Sequence, residues 1–225
     1  MVLPRLKRES VMAKVLIAIP CMDMIDTAFV QSLMGLDIDA EVRIKFLPGS
    51  LVYDSRNQLT EIARASECEY IFFLDSDMTF KGDILKRLLE DAEEEKLDIV
   101  TGLAFTRRQP IRTAIFKKCE YSTDEDGQLF PDAENYNDYP RDALFPVEAC
   151  GMACCLIRMS CVDHVLQNFG LPFSPAQGWG EDLSFCIRAR ELGHQPYCDS
   201  RVKIGHIGKM VVTEEVFLRG QEENA

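Results

Sequence analysis

The chain has 225 residues, 47% of them hydrophobic, which is enough to bury the core of one large domain. Its 25 basic and 37 acidic residues give a formal charge of -12, which argues against nucleic acids and anionic membrane surfaces as partners. The same charge would repel a nucleotide diphosphate unless a bound cation reversed the local field.

The first half of the chain alternates between strand and helix patterns. Short apolar runs that are typical of strands buried on both faces occur at 15–19, 42–47, 70–74 and 97–103. Helical spacing occurs at 27–34, after a capping box formed by Ser55 and Gln58, and at 81–96. This alternation predicts right-handed crossovers and a parallel sheet.

The second half is less regular. Residues 120–141 are acidic and lack a sustained period, so we predict an inserted loop or hairpin there. This insertion is either a solvated excursion or a lid that carries Phe130, Tyr136 and Tyr139 toward an acceptor. Further predicted elements are a strand at 147–158, helices at 161–168 and 182–192, and a late strand at 195–198.

The nine cysteines and the hydropathy pattern bear on the compartment. No Cys-x2-Cys pair occurs around Cys150, Cys154, Cys155 and Cys161, so neither a disulfide framework nor a zinc site is indicated. No apolar run approaches the ~18 residues of a membrane-spanning helix. We therefore predict a protein without a membrane span, located in the reducing cytoplasm.

Two carboxylates directly follow the third predicted strand. Asp75 and Asp77 flank Ser76 at the end of the run 70–74, and ligands of open α/β sheets collect at the carboxyl ends of the strands. Carboxylate oxygens are hard ligands that suit magnesium or manganese and leave positions for diphosphate oxygens. The structural alternative is that Asp75 caps the turn and Asp77 caps the helix that begins near Lys81.

A second acidic pair and a late histidine complete the candidate set. Glu181 and Asp182 open the helix at 182–192, where Asp182 is a candidate general base. Alternatively, the pair only complements the helix dipole. His206 could complete the shell of a metal at Asp77, which would favour manganese over magnesium, or it is an ordinary strand-end histidine.

Further candidates lie at the other strand ends. Pro20 and Asp23 follow the first strand, and Asp54 and Arg56 open the helix after the second. These residues could contact the base, ribose or phosphate of a nucleotide. Arg56 is equally consistent with a surface charge. Arg107 and Arg108 after the fourth strand are secondary candidates for a phosphate or sugar contact.

Four features in order resemble a known family. They are the strand that ends in Asp-x-Asp, the Gly-Met-Ala-Cys-Cys-Leu-Ile-Arg segment at 151–158, the Gly-Trp-Gly-Glu-Asp-Leu-Ser-Phe-Cys-x-Arg-Ala block at 178–189, and the late Gly-His. Together they resemble compact family 2-type glycosyltransferases with the GT-A fold, over about residues 14–210. The absence of a Gln-x-x-Arg-Trp motif argues against a processive polysaccharide synthase.

The resemblance implies one GT-A domain over residues 1–225. Its Rossmann-like half, at about 14–104, is a mostly parallel sheet flanked by helices, fused to an acceptor half at 105–210 with a smaller mixed sheet, and 219–225 form a flexible tail. The implied donor is a nucleotide sugar, with a UDP sugar favoured and a GDP sugar as the alternative. The implied acceptor is a carbohydrate or another hydroxyl compound.

The resemblance also implies roles for the candidate residues. Asp77 and His206 would bind a divalent cation, Mn²⁺ in preference to Mg²⁺. Asp75 would meet the ribose or the metal, and Ser76 would bind the donor. The acceptor side would be formed by Gly151, Trp179, Gly180, Glu181 and Asp182. Glu181 and Asp182 would be the catalytic residues, with Asp182 in preference to Glu181 as the base that accepts the hydroxyl proton.

Other functions fit parts of the same pattern. Residues 72–79 also match the strand and Asp-x-Asp-x-Thr signature of haloacid-dehalogenase-type phosphatases, in which Asp75 would be the nucleophile and Asp77 the general acid. That motif normally lies on the first strand, whereas two β-α units precede it here. A nucleotidyltransferase and a non-catalytic nucleotide-sugar-binding protein are the remaining alternatives.

Overall fold

The computed structural model of the protein describes residues 12–49, 51–107, 109–176 and 178–208. The strands of the first half are β1 (Lys14–Cys21), β2 (Glu41–Pro48), β3 (Tyr70–Leu74), β4 (Met78–Thr79) and β5 (Ile99–Leu103). Those of the second half are β6 (Ile115–Thr123), β7 (Leu129–Asn135), β8 (Leu144–Pro146), β9 (Ala149–Cys150), β10 (Cys154–Arg158), β11 (Pro196–Lys203) and β12 (Gly205–His206). The helices are α1 (Thr27–Met34), α2 (Val52–Ala65), α3 (Ile84–Glu94), α4 (Met159–Phe169) and α5 (Glu181–Glu191).

A seven-stranded sheet forms the centre of the molecule, in the order β2-β1-β3-β10-β5-β11-β8. Strands β1, β2 and β3 are parallel, as are β5 and β11. β10 lies antiparallel between β3 and β5, and β8 lies antiparallel at the edge beside β11. Five of the seven strands therefore point the same way, and their carboxyl ends share one edge.

Helices cover both faces of this sheet because side chains alternate along each strand. In β3, Ile71 and Phe73 pack with α2, α4 and α5 on one face, while Tyr70, Phe72 and Leu74 pack with α1 and α3 on the other. All five side chains are completely buried. Burial on both faces explains why this strand is a continuous apolar run rather than an alternating one.

The parallel sheet predicted from the first half is interrupted by one strand from the second half. β10 pairs with both β3 and β5, so these two do not contact each other. The apolar residues of β10 are buried on both faces, which suits a central position in either direction. A small separate sheet has the order β7-β6-β9. Both of its pairings are antiparallel, so this sheet is not mixed as predicted.

The insertion at 120–141 is a hairpin, one of the two forms predicted for it. β6 and β7 pair antiparallel, and Gly127 provides a residue with positive φ (78°) in the turn between them. The strand predicted at 147–158 is divided into β9 and β10. The division occurs because the Gly151 amide donates to the carbonyl of Ala114, which keeps β9 in the small sheet with β6.

Other element boundaries differ from the sequence-based predictions. Helix α2 begins at Val52 and not after a capping box, so Ser55 lies buried inside the helix and caps nothing. Helix α3 is shorter than the predicted span 81–96, and β11 extends beyond the predicted 195–198 to Lys203. The predicted tail at 219–225 and the secondary candidate Arg108 lie outside the described residues.

Two further observations concern the cysteines and the hydropathy of the helices. All nine cysteines are buried and unpaired. Among the residues that the structure describes, no helix has the length and apolar character needed to cross a bilayer.

Candidate active site

A two-stranded sheet joins the acidic turn to the late histidine. Asp75, Ser76 and Asp77 leave the carboxyl end of β3 and lead into β4. β4 pairs antiparallel with β12, so that His206 lies opposite Met78. The pairing therefore brings His206 beside Asp77 although the two are 129 residues apart in the chain.

Asp77 and His206 form a pair of adjacent metal-type ligands. His206 Nε2 lies 3.3 Å from Asp77 Oδ2, and His206 Nδ1 lies 2.8 Å from the carbonyl oxygen of Phe105. When neutral, a histidine that donates Nδ1–H to a carbonyl presents its Nε2 lone pair to a metal. Two ligand atoms at about 2.1 Å from one ion and at right angles lie about 3.0 Å apart, so the observed pair fits a shared cation.

Electrostatics favour the ionised form of Asp77. Burial opposes this ionisation, but the hydrogen bond from His206 and the charges of His206 and Arg107 outweigh burial, and the pKa of Asp77 is lowered. The hydrogen bond to Asp77 in turn raises the pKa of His206. Asp77 does not cap the helix that follows, since α3 begins after Asp83.

Arg107 also contacts this carboxylate, which the sequence analysis did not anticipate. Its Nη1 donates to Asp77 Oδ2. The signal available in the sequence was that Arg107 follows β5, whose carboxyl end lies at the same sheet edge as that of β3. The partner itself was not readable because the two residues lie 30 positions apart.

A buried arginine connects the two acidic motifs. Arg56 Nη2 donates to Asp75 Oδ1 at 2.9 Å, and Arg56 Nε donates to Glu181 Oε1 at 3.2 Å. Only 3% of the Arg56 side chain is exposed, so it is not a surface charge. Burial opposes its charge, but Asp75 and Glu181 outweigh burial and raise the pKa of Arg56. Glu181 therefore does more than complement the dipole of α5.

Asp182 is half-buried in the first turn of α5. Burial and the neighbouring charge of Glu181 raise the pKa of Asp182 to about 6, against the hydrogen bond that the Leu183 amide donates to Asp182 Oδ1 at 2.8 Å. A carboxyl group with such a pKa can accept a proton near neutral pH. Asp182 thus has the properties expected of a general base.

A cavity of about 240 Å³ lies beside the acidic turn. Three of the predicted donor-binding residues line it, Pro20, Asp75 and Ser76, together with the predicted metal ligand Asp77. The exposed residues Asp23 and Asp54 are not among its lining residues, and Asp54 accepts a hydrogen bond from Gln58 on its own helix. The cavity therefore unites the ends of β1 and β3, but not every candidate at the sheet edge.

The predicted acceptor-side residues surround Asp182 or lie just before it. A Cβ added to Gly151 would lie 3.7 Å from Asp182 Oδ2, and one added to Gly180 would lie 2.9 Å from Asp182 Oδ1. These two glycines therefore keep the space around the carboxyl group open. Trp179 is buried and packs edge-on against Tyr121 of β6, with ring centroids 5.8 Å apart.

The three predicted metal ligands are not equally close. Asp77 and His206 adjoin each other, whereas Asp75 Oδ1 is engaged by Arg56. Within the described part of the chain, no three Asp, Glu, His or Cys side chains form a preassembled metal site. Two protein ligands leave the remaining positions of a cation to donor oxygens and water.

The overall fold is similar to those of two solved structures. A197 from STIV superposes with a TM-score of 0.60 at 18% sequence identity, over 87% of this chain and 86% of that one. GalNAc-T7 with UDP, GalNAc and Mn²⁺ superposes with a TM-score of 0.58 at 10% identity, over 90% of this chain and 45% of that one. The chain therefore spans less than half of the GalNAc-T7 chain.

The sequence itself matches a family model. No curated protein sequence matches the chain significantly. The model of glycosyl transferase family 2 matches residues 34–158, which is more than half of the chain and includes β2, α2, β3 and the acidic turn. The match favours the predicted glycosyltransferase over the phosphatase alternative. The chain belongs to glycosyl transferase family 2, has the GT-A fold, and is a glycosyltransferase.

Proposed function

We propose that the protein transfers a sugar from a nucleotide-sugar donor to an acceptor hydroxyl with the help of a divalent cation. The observation that carries the proposal is the approach of His206 Nε2 to Asp77 Oδ2 at 3.3 Å, beside a cavity that Asp75 and Ser76 also line. A chain of formal charge -12 needs a local positive charge to bind a diphosphate. A cation bound by Asp77 and His206 would supply this positive charge.

The donor and the cation can be specified further. GalNAc-T7, which shares the fold, was crystallised with UDP and Mn²⁺, and this supports a UDP sugar over a GDP sugar for the present protein. An imidazole ligand at His206 supports Mn²⁺ over Mg²⁺, since Mg²⁺ prefers oxygen. Asp77 and His206 would hold the cation. Asp75 would contact either the ribose of the donor or a further coordination position of the cation.

The residues of the chain divide the chemistry between them. A bound cation would neutralise the charge that develops on the leaving diphosphate. Asp182 accepts the proton of the acceptor hydroxyl, for which its pKa of about 6 is suitable. Gly151 and Gly180 leave room for the acceptor beside that carboxyl group.

Arg56 has a positioning role in this proposal. It is buried, holds Asp75 on the donor side and Glu181 on the acceptor side, and stacks over the Phe73 ring at 5.2 Å. A buried guanidinium bonded to two carboxylates keeps the distance between these carboxylates constant. The relative placement of donor and acceptor therefore depends on a residue that is proposed to touch neither reacting atom.

Nucleotide release from a panel of UDP and GDP sugars, with and without Mn²⁺, tests the proposal. We expect release from one donor to require the cation and to fall by about two orders of magnitude in Asp77→Ala, because several kcal/mol of charge stabilisation are lost. Asp163→Ala is the matched control, since it removes an exposed carboxylate from α4 at the opposite edge of the sheet.

Three outcomes would count against the proposal. Equal release by wild type and Asp77→Ala would remove the cation from the mechanism. Cleavage of an aryl phosphate without nucleotide preference would favour the phosphatase alternative. Tight Mn²⁺-dependent nucleotide binding without turnover of any donor, tested with a panel of simple sugar acceptors and with water, would favour the non-catalytic binding protein.

A further inference from the structure

Arg107 contacts the carboxylate that the proposed cation requires. We propose that Arg107 exchanges partners during donor binding: it holds Asp77 in the free protein and moves to the donor's diphosphate when a cation binds Asp77. This inference rests on the proposed function. It assigns Arg107 to recognition of the diphosphate, in addition to the proposed cation ligands.

The first step of the argument is competition at one oxygen atom. Asp77 Oδ2 accepts from Arg107 Nη1 and also faces His206 Nε2. A cation shared by Asp77 and His206 would compete with Arg107 for this oxygen atom. The guanidinium charge would also repel a divalent cation at that distance. Cation binding and the present position of Arg107 therefore oppose each other.

The second step is that Arg107 can move at little cost. Its side chain is 52% exposed. Among the described residues, Asp77 is the one hydrogen-bond and ion-pair partner of its guanidinium. An exposed ion pair of this kind contributes little to stability. Departure of Arg107 therefore disturbs no packed core, unlike a movement of the buried Arg56.

The third step is the destination of the side chain. Arg107 is the only basic residue among the described residues that line the 240 Å³ cavity next to Asp75. It also borders a second cavity of about 500 Å³ on the His206 side. A guanidinium between two cavities can reach a ligand in either one, and its planar fork matches phosphate oxygens. The diphosphate would replace Asp77 as the negatively charged partner of Arg107.

Isothermal titration calorimetry of the full chain with Mn²⁺ and with UDP tests whether Arg107 exchanges partners. Without nucleotide, Arg107→Ala should bind Mn²⁺ about two- to fivefold more tightly than wild type, because an exposed ion pair no longer competes for Asp77. With saturating Mn²⁺, the same variant should bind UDP about tenfold more weakly, because a charge-assisted hydrogen bond to phosphate is lost. Opposite changes in the two affinities are specific to this proposal.

Arg64→Ala is the matched control. It also removes one positive charge from an exposed ion pair, but at the C-terminal end of α2, on the opposite edge of the sheet. Both affinities should equal those of wild type. Arg107→Lys, which keeps the charge without the fork, should give a UDP affinity between those of wild type and Arg107→Ala.

The outcomes separate this inference from the proposed function. Unchanged or weaker Mn²⁺ binding by Arg107→Ala, or unchanged UDP binding, would overturn the exchange while leaving the function intact, provided that the wild type binds both ligands. A wild type that binds neither Mn²⁺ nor UDP would overturn the proposed function, and the role of Arg107 with it. Equal circular dichroism spectra of the variants verify that the fold is retained.

Discussion

At the scale of single residues, the environment of Asp182 predicts how activity depends on pH. Its pKa is raised to about 6 by burial and by Glu181. A general base works in its ionised form, so kcat should rise with pH through about 6 and level off above it. Asp182→Asn should lower kcat by about two to four orders of magnitude and abolish this rise. Initial rates between pH 4.5 and 8.5 provide the measurement.

Gly151 offers a check on the same carboxyl group. A side chain at Gly151 would contact Asp182 Oδ2 at 3.7 Å, an ordinary van der Waals distance. Gly151→Ala should therefore raise the acceptor KM by filling space while keeping the pH profile of the wild type. An Asp182→Asn enzyme with wild-type kcat would assign the proton transfer to another group.

The site residues differ in how far the sequence reveals them. Asp77 and His206 were predicted together because Asp77 follows a strand and the His206 imidazole could complete the shell of a metal bound there, and the structure brings them together. The contacts of Arg56 and Arg107 were not predicted. An arginine is long and flexible, so its partner depends on packing among distant segments, 125 positions apart for Arg56 and Glu181. Asp23 was predicted from its place after a strand, and it does not line the cavity beside Asp75, because a shared sheet edge does not guarantee a shared cavity.

At the scale of elements, a close contact of two glycines fixes the loop that precedes α3. A Cβ added to Gly82 would lie 2.2 Å from the carbonyl oxygen of Gly35, and the Gly82 carbonyl accepts from the Asp37 amide at 2.8 Å. Gly82→Ala should therefore reduce the free energy of unfolding by about 1–3 kcal/mol through overpacking. Urea denaturation monitored by circular dichroism gives this value.

The matched control lies on the other side of the same contact. A Cβ added to Gly35 would meet its nearest neighbours at 3.5 Å, and its φ of -90° is open to alanine. Gly35→Ala should leave stability unchanged or raise it by up to about 1 kcal/mol. Equal stabilities for the two alanine variants would show that the loop adapts and that the contact does not constrain it.

The elements of the first half were largely predictable, and those of the second half less so. Helix α1 and strand β3 have the predicted bounds because their periodicities are clear and their ends carry turn residues. The central antiparallel position of β10 was not predictable. A strand buried on both faces has the same apolar pattern in either direction, and its neighbours are decided by pairings distant in the chain.

At the scale of the whole molecule, a buried acidic pair links stability to pH. Arg201 donates to Asp91 Oδ1 of α3 and to Asp199 Oδ1 of β11, at 2.7 Å each. The second oxygen of each carboxyl group is buried and has no hydrogen-bond partner among the described residues. Burial and Asp199 raise the pKa of Asp91 from 3.8 to about 6, against Arg201. The folded protein therefore favours the protonated form.

This shift determines the sign of a stability change. Because the pKa of Asp91 is higher in the folded protein than in the unfolded chain, its contribution to stability is complete at pH values below the unfolded pKa of 3.8. This contribution is lost as the pH rises through about 6. Asp91→Asn imitates the protonated form, so it should be more stable than wild type by about 1 kcal/mol at pH 7.5, and the difference should disappear near pH 4. Thermal unfolding of both proteins at several pH values tests this.

A carboxylate at the start of the same helix provides a control of opposite sign. The hydrogen bond from Arg87 lowers the pKa of Asp83. A carboxyl group with a lowered pKa stabilises the fold at pH values above its pKa in the unfolded chain, and this stabilisation is lost as the pH falls. Asp83→Asn should therefore be slightly less stable than wild type at pH 7.5. If Asp91→Asn were also less stable at pH 7.5, the ion pair with Arg201 would outweigh the repulsion from Asp199.

The composition of the whole chain also anticipated its central chemical requirement. A formal charge of -12 is unfavourable for the binding of a diphosphate, and we propose that a cation between Asp77 and His206 compensates for it. The most direct test is anomalous diffraction from crystals grown with UDP and Mn²⁺. We predict a manganese peak within bonding distance of an Asp77 carboxylate oxygen, His206 Nε2 and the diphosphate. Bound UDP with no manganese at these two side chains would contradict the account.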